Sequence, residues 1–445
     1  MKKLLIPILL FALASCTKTV EVYTYVNTDN AVLVKKDTTI TGVWDGHDSV
    51  LRITNARIKG NGILKNWIID AALTQWIFDT TITLQNCKTY GDRFSCMWYG
   101  ASPSNANNWW NIQKSIYTCR DNGIRNCFLP SGKYDFAWTL RIDNTNPYQS
   151  TSLHFFGDAN FWDPGQGTIL NLTLTGGSAF NLQYNKGSEV DHISLTGKWK
   201  APGGNDSTYY NLTESNYKDA SGNNIGDFYR GFCIDGDAPP FGTSGSTGNS
   251  IHDIYIGGFA RAISMSENGV TYNNDIEIFN NIHFGDCKYG FVCTQAQEKG
   301  NVVRGLYSWG SVYSLINIGT QGKAQAGNYT FDGGNVAGRC INLLNVNQGA
   351  WFSSSLKNFF CESIKSIGNI STSIPFVIET SHFDFKFPSQ IGQRIVLNNN
   401  SAQTQIRDCT LRFYNGQPGE IWVHSPSATL TGNNNNFYLQ TLIYK

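Results

Sequence analysis

Leu129-Pro-Ser-Gly-Lys-Tyr134, preceded by Trp98-Tyr-Gly-Ala101 and Trp110-Asn-Ile-Gln-Lys-Ser-Ile-Tyr117, is the stretch whose reading decides the fold. Ile112, Ile116 and Tyr117 share one helical face by their i, i+4 spacing, which predicts a short amphipathic helix. Asn126-Cys-Phe128 then predicts a strand, and Pro130 with Gly132 predicts a tight turn, since proline presets φ and glycine tolerates a reversal. Phe136, Trp138, Leu140 and Ile142 alternate as the residues of a half-buried strand do.

Working outward, the chain repeats itself. Ile254-Tyr-Ile-Gly-Gly-Phe-Ala-Arg-Ala-Ile263 aligns with Ile282-His-Phe-Gly-Asp-Cys-Lys-Tyr-Gly-Phe291 and Leu306-Tyr-Ser-Trp-Gly-Ser-Val-Tyr-Ser-Leu315. A fourth copy is read at Tyr329-Thr-Phe-Asp-Gly-Gly-Asn-Val-Ala-Gly-Arg-Cys-Ile341. Each unit is strand, glycine corner, strand; none buries its apolar side alone, so the units must stack. The 445 residues suffice for a large core, and only 15% are charged, while the 44 glycines are matched by about as many asparagines. Many short strands with Gly/Asn corners and no long helical pattern predict an all-β solenoid. A net charge of +1 gives no global field for nucleic acid, so no nucleic-acid partner is expected.

The order of Trp98-Tyr-Gly-Ala101, helix and Leu129-Pro-Ser-Gly-Lys-Tyr134 resembles the opening of the pectate-lyase-like superfamily, phage tailspike-like proteins included. The resemblance covers residues 86–193 and thins out beyond. Residues 102–110 depart from it, lacking the Gly-Asp-Gly and Asp-Asp-Thr stretches that family members often carry. It implies a single-stranded right-handed parallel β-helix with a short capping helix, and a polysaccharide partner held in a lateral groove. A homotrimer is the assembly common among tailspike-like chains, although no trimerisation segment is recognisable here. The resemblance does not choose a chemistry, because the fold hosts lyases, hydrolases, epimerases and inert adhesins.

Lys2 and Lys3 followed by an apolar run from Leu4 to Leu13 predict a secretory signal over residues 1–15. Leu13-Ala-Ser-Cys16 has the form of a bacterial lipobox, which implies lipidation of Cys16 and, with Thr17 after it, an outer-membrane lipoprotein. Periplasmic and surface-exposed faces stay open. Residues 16–30 read as a tether, 31–90 as capping strands and 91–445 as the solenoid, interrupted by a long polar insertion at 199–250. Apart from Cys16, ten cysteines remain; Cys119 with Cys127 or Cys287 with Cys293 offer disulfides, but buried free thiols are the stronger expectation. No Cys-x-x-Cys pair occurs, so no zinc site is expected.

Neighbouring rungs of a solenoid stand about 4.8 Å apart. Acids on nearby rungs therefore reach the separations of about 5 Å or roughly 6.5–9.5 Å that suit retaining or inverting glycosidases. Asp286 and Asp332, read as similar corners two rungs apart, form the hydrolase-like pair; self-bonded turn aspartates are the plain alternative. A lyase needs a cation for the uronate carboxylate and a base for the neighbouring proton. Arg261, Lys288 and Arg304, with Tyr289 and Tyr313, supply such a column, against the alternative of a solvated face. Glu298 is a further substrate-contact candidate. Asp235 and Asp237 are read the same way and offer a weak calcium site, because no full oxygen shell is visible; no other cofactor is expected. His192 and His252 offer acid/base groups that nothing singles out, and Trp109, Trp110 and Trp162 offer flat faces for sugars. A non-catalytic glycan-binding or structural surface protein of the same fold is the competing class.

Overall fold

The computed structural model describes residues 31–143, 152–159, 162–174, 176–182, 185–201, 213–217, 229–234, 246–265, 275–293, 297–319, 326–348, 354–372, 376–385, 393–397, 404–413, 419–423, 436–438 and 440–444. Among them every strand pairing is parallel, and the chain coils as a right-handed parallel β-helix whose rungs form three sheets. The hand follows from strand twist, which favours right-handed crossovers between parallel strands.

Sheet one stacks segments 126–128, 154–156, 189–191, 250–252, 278–280, 302–304, 330–332, 355–357, 376–379 and 404–407. Sheet two follows after one bend, from 132–136 and 168–172 through 194–196, 255–257, 282–284, 306–308, 334–336 and 359–361 to 410–413. Sheet three runs from 140–141 through 180–181, 230–234, 259–265, 287–293, 312–318 and 340–348 onward.

The bend between sheets one and two is a single left-handed residue on rung after rung: His192, Asp253, Asn281, Gly305, Gly333, Asn358, Thr380 and Asp408, with φ between 48° and 75°. Short polar side chains and glycine tolerate this region, which explains the Asn, Asp and Gly corners. Glycine is required at 305, where a Cβ would lie 2.7 Å from Asn281 Oδ1. Inside, sheet one contributes an unbroken apolar column that includes Phe155, Val190, Ile251, Phe279, Val303 and Phe331, each no more than 1% exposed. Truncating one of its aromatics, Phe331→Ala for instance, costs roughly 3–5 kcal/mol in lost burial and cavity.

Residues 31–89, expected as capping strands, are themselves coiled: 31–34, 50–53 and 68–71 stack in parallel, as do 43–45, 63–65 and 83–85. Helix α1, Trp109–Asn122, joins this unit to the main solenoid. Asn122 holds Cys87 N and Leu84 O, while Gln113 bonds the Arg141 backbone in both directions. Ile112 and Ile116 are buried as expected, but Cys119 completes their face while Tyr117 stays half-buried under the Arg120 guanidinium. In the turn, the buried Tyr134 hydroxyl donates to Pro130 O at 3.0 Å. Trp138 departs from the expected alternation: it is 54% exposed, between the strands Gly132–Phe136 and Leu140–Arg141, and packs on Trp109. The ten cysteines from Cys87 to Cys409 are all buried free thiols, and burial pushes the Cys287 thiol up to about 12. No helix among the described residues is long and apolar enough to cross a membrane.

Candidate functional site

Sheet three carries the first chemical cluster. Ser178, Arg230, Arg261, Tyr289 and Ser314 are register partners on successive rungs, so two arginines stand on adjacent rungs. Both are 4% exposed. The Arg261 guanidinium lies 5.8 Å from the Tyr289 ring centroid and the Lys288 ammonium 5.0 Å from it. Part of the 199–250 insertion is laid over this column. Its short turn Glu214–Asn216, opened by Thr213, brings Glu214 within 3.2 Å of Lys288 Nζ and into a hydrogen bond from the Tyr289 hydroxyl. The turn is anchored by Tyr217, 2% exposed, which stacks on Trp199 and meets Tyr313 edge-on at 5.2 Å. Burial, and then the nearby Glu214 carboxylate, raise the Tyr313 pKa above its ordinary value. Two neighbouring cations, two phenols and a carboxylate therefore share one place, beneath a segment that starts more than forty residues before the sheet it covers.

The structure brings Arg261, Lys288, Tyr289 and Tyr313 together, though Tyr313 lies beside the column and Ser314 in it. It removes Arg304, which sits on sheet one as register partner of Asn280 and Asp332. The hydrolase-like pair is corrected too. Leu306 pairs with Gly334, not Tyr329, so the fourth repeat begins five residues later than its hydrophobic pattern suggests. Tyr329-Thr-Phe-Asp332 is the preceding sheet-one strand, whose alternation looks the same. Asp332 thus faces outward on sheet one, 3.4 Å from Lys357, whereas Asp286 lies at the corner before sheet three and accepts from Ser311 N at 2.8 Å. They occupy different corners and form no acid pair. Glu298 lies in the strand Gln297–Ser308 with its side chain outside the described residues; Asp235, Asp237 and Cys16 also lie outside them.

Sequence reasoning passed over a second cluster, on the outward face of sheet one. His154, Glu189, Asp191 and His252 lie on three successive rungs. His154 Nε2 is 2.7 Å from Asp191 Oδ2, and His252 Nε2 is 2.9 Å from Glu189 Oε1 and 3.3 Å from Asp191 Oδ2. His192 Nδ1 contacts Asp191 Oδ1 at 2.9 Å. Burial opposes the charge on Asp191, yet the hydrogen bonds from His154 and His192 hold its pKa below the usual carboxylate value. Burial works against the His252 cation as well, and the Glu189 and Asp253 carboxylates outweigh it and raise its pKa. The hidden signal is register: the insertion separates residue 191 from residue 252 in sequence although they are neighbours across one strand gap.

Sheet two adds an aromatic face. Trp162 packs on Tyr307 and Trp309 at 4.6 and 5.0 Å, and His283 meets both Tyr255 and Trp309. Trp162 and Trp309 remain 38% and 53% exposed.

No family model and no curated protein sequence matches the chain. Among solved structures it is similar to the A-module of mannuronan C-5 epimerase AlgE6 from Azotobacter vinelandii, at 12% identity over 78% of this chain and 98% of that one, TM-score 0.43. It is also similar to DFA-IIIase from Arthrobacter chlorophenolicus A6 in complex with GF2, at 13% identity over 76% and 94%, TM-score 0.47. A third likeness is tailspike protein 2 of the Escherichia coli O157:H7 bacteriophage CAB120, at 10% identity over 75% and 42%, TM-score 0.42.

Proposed function

We propose that this chain is an exported, lipid-anchored enzyme that cleaves a uronate-containing polysaccharide by β-elimination on sheet three. The observation that carries the reading is the Glu214 turn seated over Arg261, Lys288, Tyr289 and Tyr313. Arg261, with Arg230 one rung away, neutralises the uronate carboxylate and so stabilises the negative charge that grows there as the adjacent carbon loses its proton. The base is drawn from Lys288 and Tyr289, both tied to Glu214. The C–H bond breaks to the base, a carbon–carbon double bond forms, and the glycosidic oxygen leaves with a proton.

A panel of acidic and neutral polysaccharides tests this. Absorbance of unsaturated uronate is expected with an acidic polymer and is expected to vanish in Arg261→Ala; Lys288→Ala and Tyr289→Phe then identify the base. New reducing ends without unsaturation would replace elimination by hydrolysis. Trp162, Trp309 and Tyr307 favour a second reading, a glycan-binding protein, since rigid exposed rings match sugar faces. Retention on a glycan array with no product of either kind would leave that reading standing alone.

A further inference from the structure

We infer that His154, Glu189, Asp191 and His252 form a binding site for a divalent first-row transition ion, with zinc as the model occupant. The inference does not depend on the sheet-three chemistry. Its ground is a proton count. A neutral imidazole donates through one nitrogen and accepts through the other. His252 Nδ1 faces Asp253 Oδ2 at 2.8 Å, while its Nε2 faces Glu189 and Asp191. His154 Nδ1 lies 3.2 Å from Asn126 Oδ1, and that amide is oriented by its own donation to Asp92 Oδ2 at 3.0 Å. Glu189 Oε2 is 4.0 Å from the same His154 nitrogen. Both Nδ1 atoms thus face acceptors and hold protons, which leaves two Nε2 lone pairs aimed at carboxylate oxygens. Lone pairs meeting carboxylates require positive charge between them, supplied either by two further protons or by one dication.

The geometry suits the dication. One ligand atom from each of His154, Glu189 and Asp191 lies within 4.8 Å of the others. Ligands about 2.0–2.2 Å from zinc stand roughly 3.3–3.5 Å apart; the 2.7–3.3 Å contacts open to that spacing with shifts of a few tenths of an ångström. The outer partners are the kind that orient metal-bound histidines: Asp253 behind His252, itself held by Asn281 at 2.9 Å, and Asn126 behind His154. His192 fixes the remaining Asp191 oxygen, and Arg125 lies 3.5 Å from Glu189. Imidazole with carboxylate favours zinc, manganese or iron over calcium, which prefers an all-oxygen shell. His154 and His252 side chains are 20% exposed and Glu189 29%, so an ion reaches the site from solvent.

The test is calorimetric titration of the chelator-stripped full chain with zinc chloride, in two buffers of different ionisation enthalpy. The expected result is one ion per chain, with release of about one to two protons, and no heat from calcium chloride. His252→Gln and Asp191→Asn are each expected to weaken binding at least about tenfold. Asp191 is buried, so far-UV circular dichroism accompanies its variant, and the partly exposed His252 variant stands as the independent check. Absence of saturable zinc binding, calcium binding in its place, or unchanged affinity in the His154→Ala/His252→Ala double variant would overturn the inference and leave a protonated network.

Discussion

The outward column of sheet one changes character along its length. From Arg304 it reads Arg304, Asp332, Lys357, Glu379, Arg407, one residue per rung and alternating in sign. Lys357 meets Asp332 at 3.4 Å and Arg407 meets Glu379 at 2.6 Å. Earlier rungs place Asp191 and then His252 in the same column, with Glu189, His154 and Asp253 around them. The late stretch neutralises itself; the early one gathers carboxylates around imidazoles and calls for an added cation. Sheet three's Arg230 and Arg261 repeat the lesson with opposite sign. On a β-helix every column is regular, so chemistry is to be sought where a column fails to balance its own charge.

The largest effect expected on this contrast concerns Arg261 and Arg304. Arg261→Ala should lower the initial rate of unsaturated-uronate formation at least about 100-fold, and Arg304→Ala should leave it within about twofold. Equal losses would erase the distinction between the covered cluster and the ladder. Next comes stability. In urea titrations of metal-free protein, Asp191→Ala should cost about 3 kcal/mol because it strips a buried carboxylate from two histidines. Asp332→Ala should cost under about 1 kcal/mol, as solvent-screened pairs do. A smaller effect is expected on sheet two: Trp309→Ala should weaken glycan retention about five-fold by affinity electrophoresis while leaving the urea midpoint in place. Smallest is the ladder itself. A double-mutant cycle on Glu379 and Arg407 should give about 0.5 kcal/mol at low salt and approach zero near 1 M.

The first three copies of the repeat are legible in sequence because their corners and apolar positions coincide, and the register of Ile254, Ile282 and Leu306 follows them. The fourth is not, since Tyr329-Thr-Phe-Asp332 alternates as well as Gly334-Asn-Val336 does, and period-two patterns carry no label for which sheet they belong to. That slip moved Asp332 beside Asp286 on paper and kept Arg304 in the wrong column. The sheet-three cluster was half legible: Arg261 and Tyr289 share a repeat position, but Glu214 and Tyr217 come from an insertion without periodicity.

Apolar alternation, left-handed corner residues and the Leu129 to Tyr134 turn determine by themselves that this chain coils into a parallel solenoid, because burial and backbone sterics act over a few residues. Tertiary structure alone decided which polar groups meet. His154, Asp191 and His252 are separated by dozens of residues yet lie within one strand spacing of each other, and charge acts through space and not along the chain.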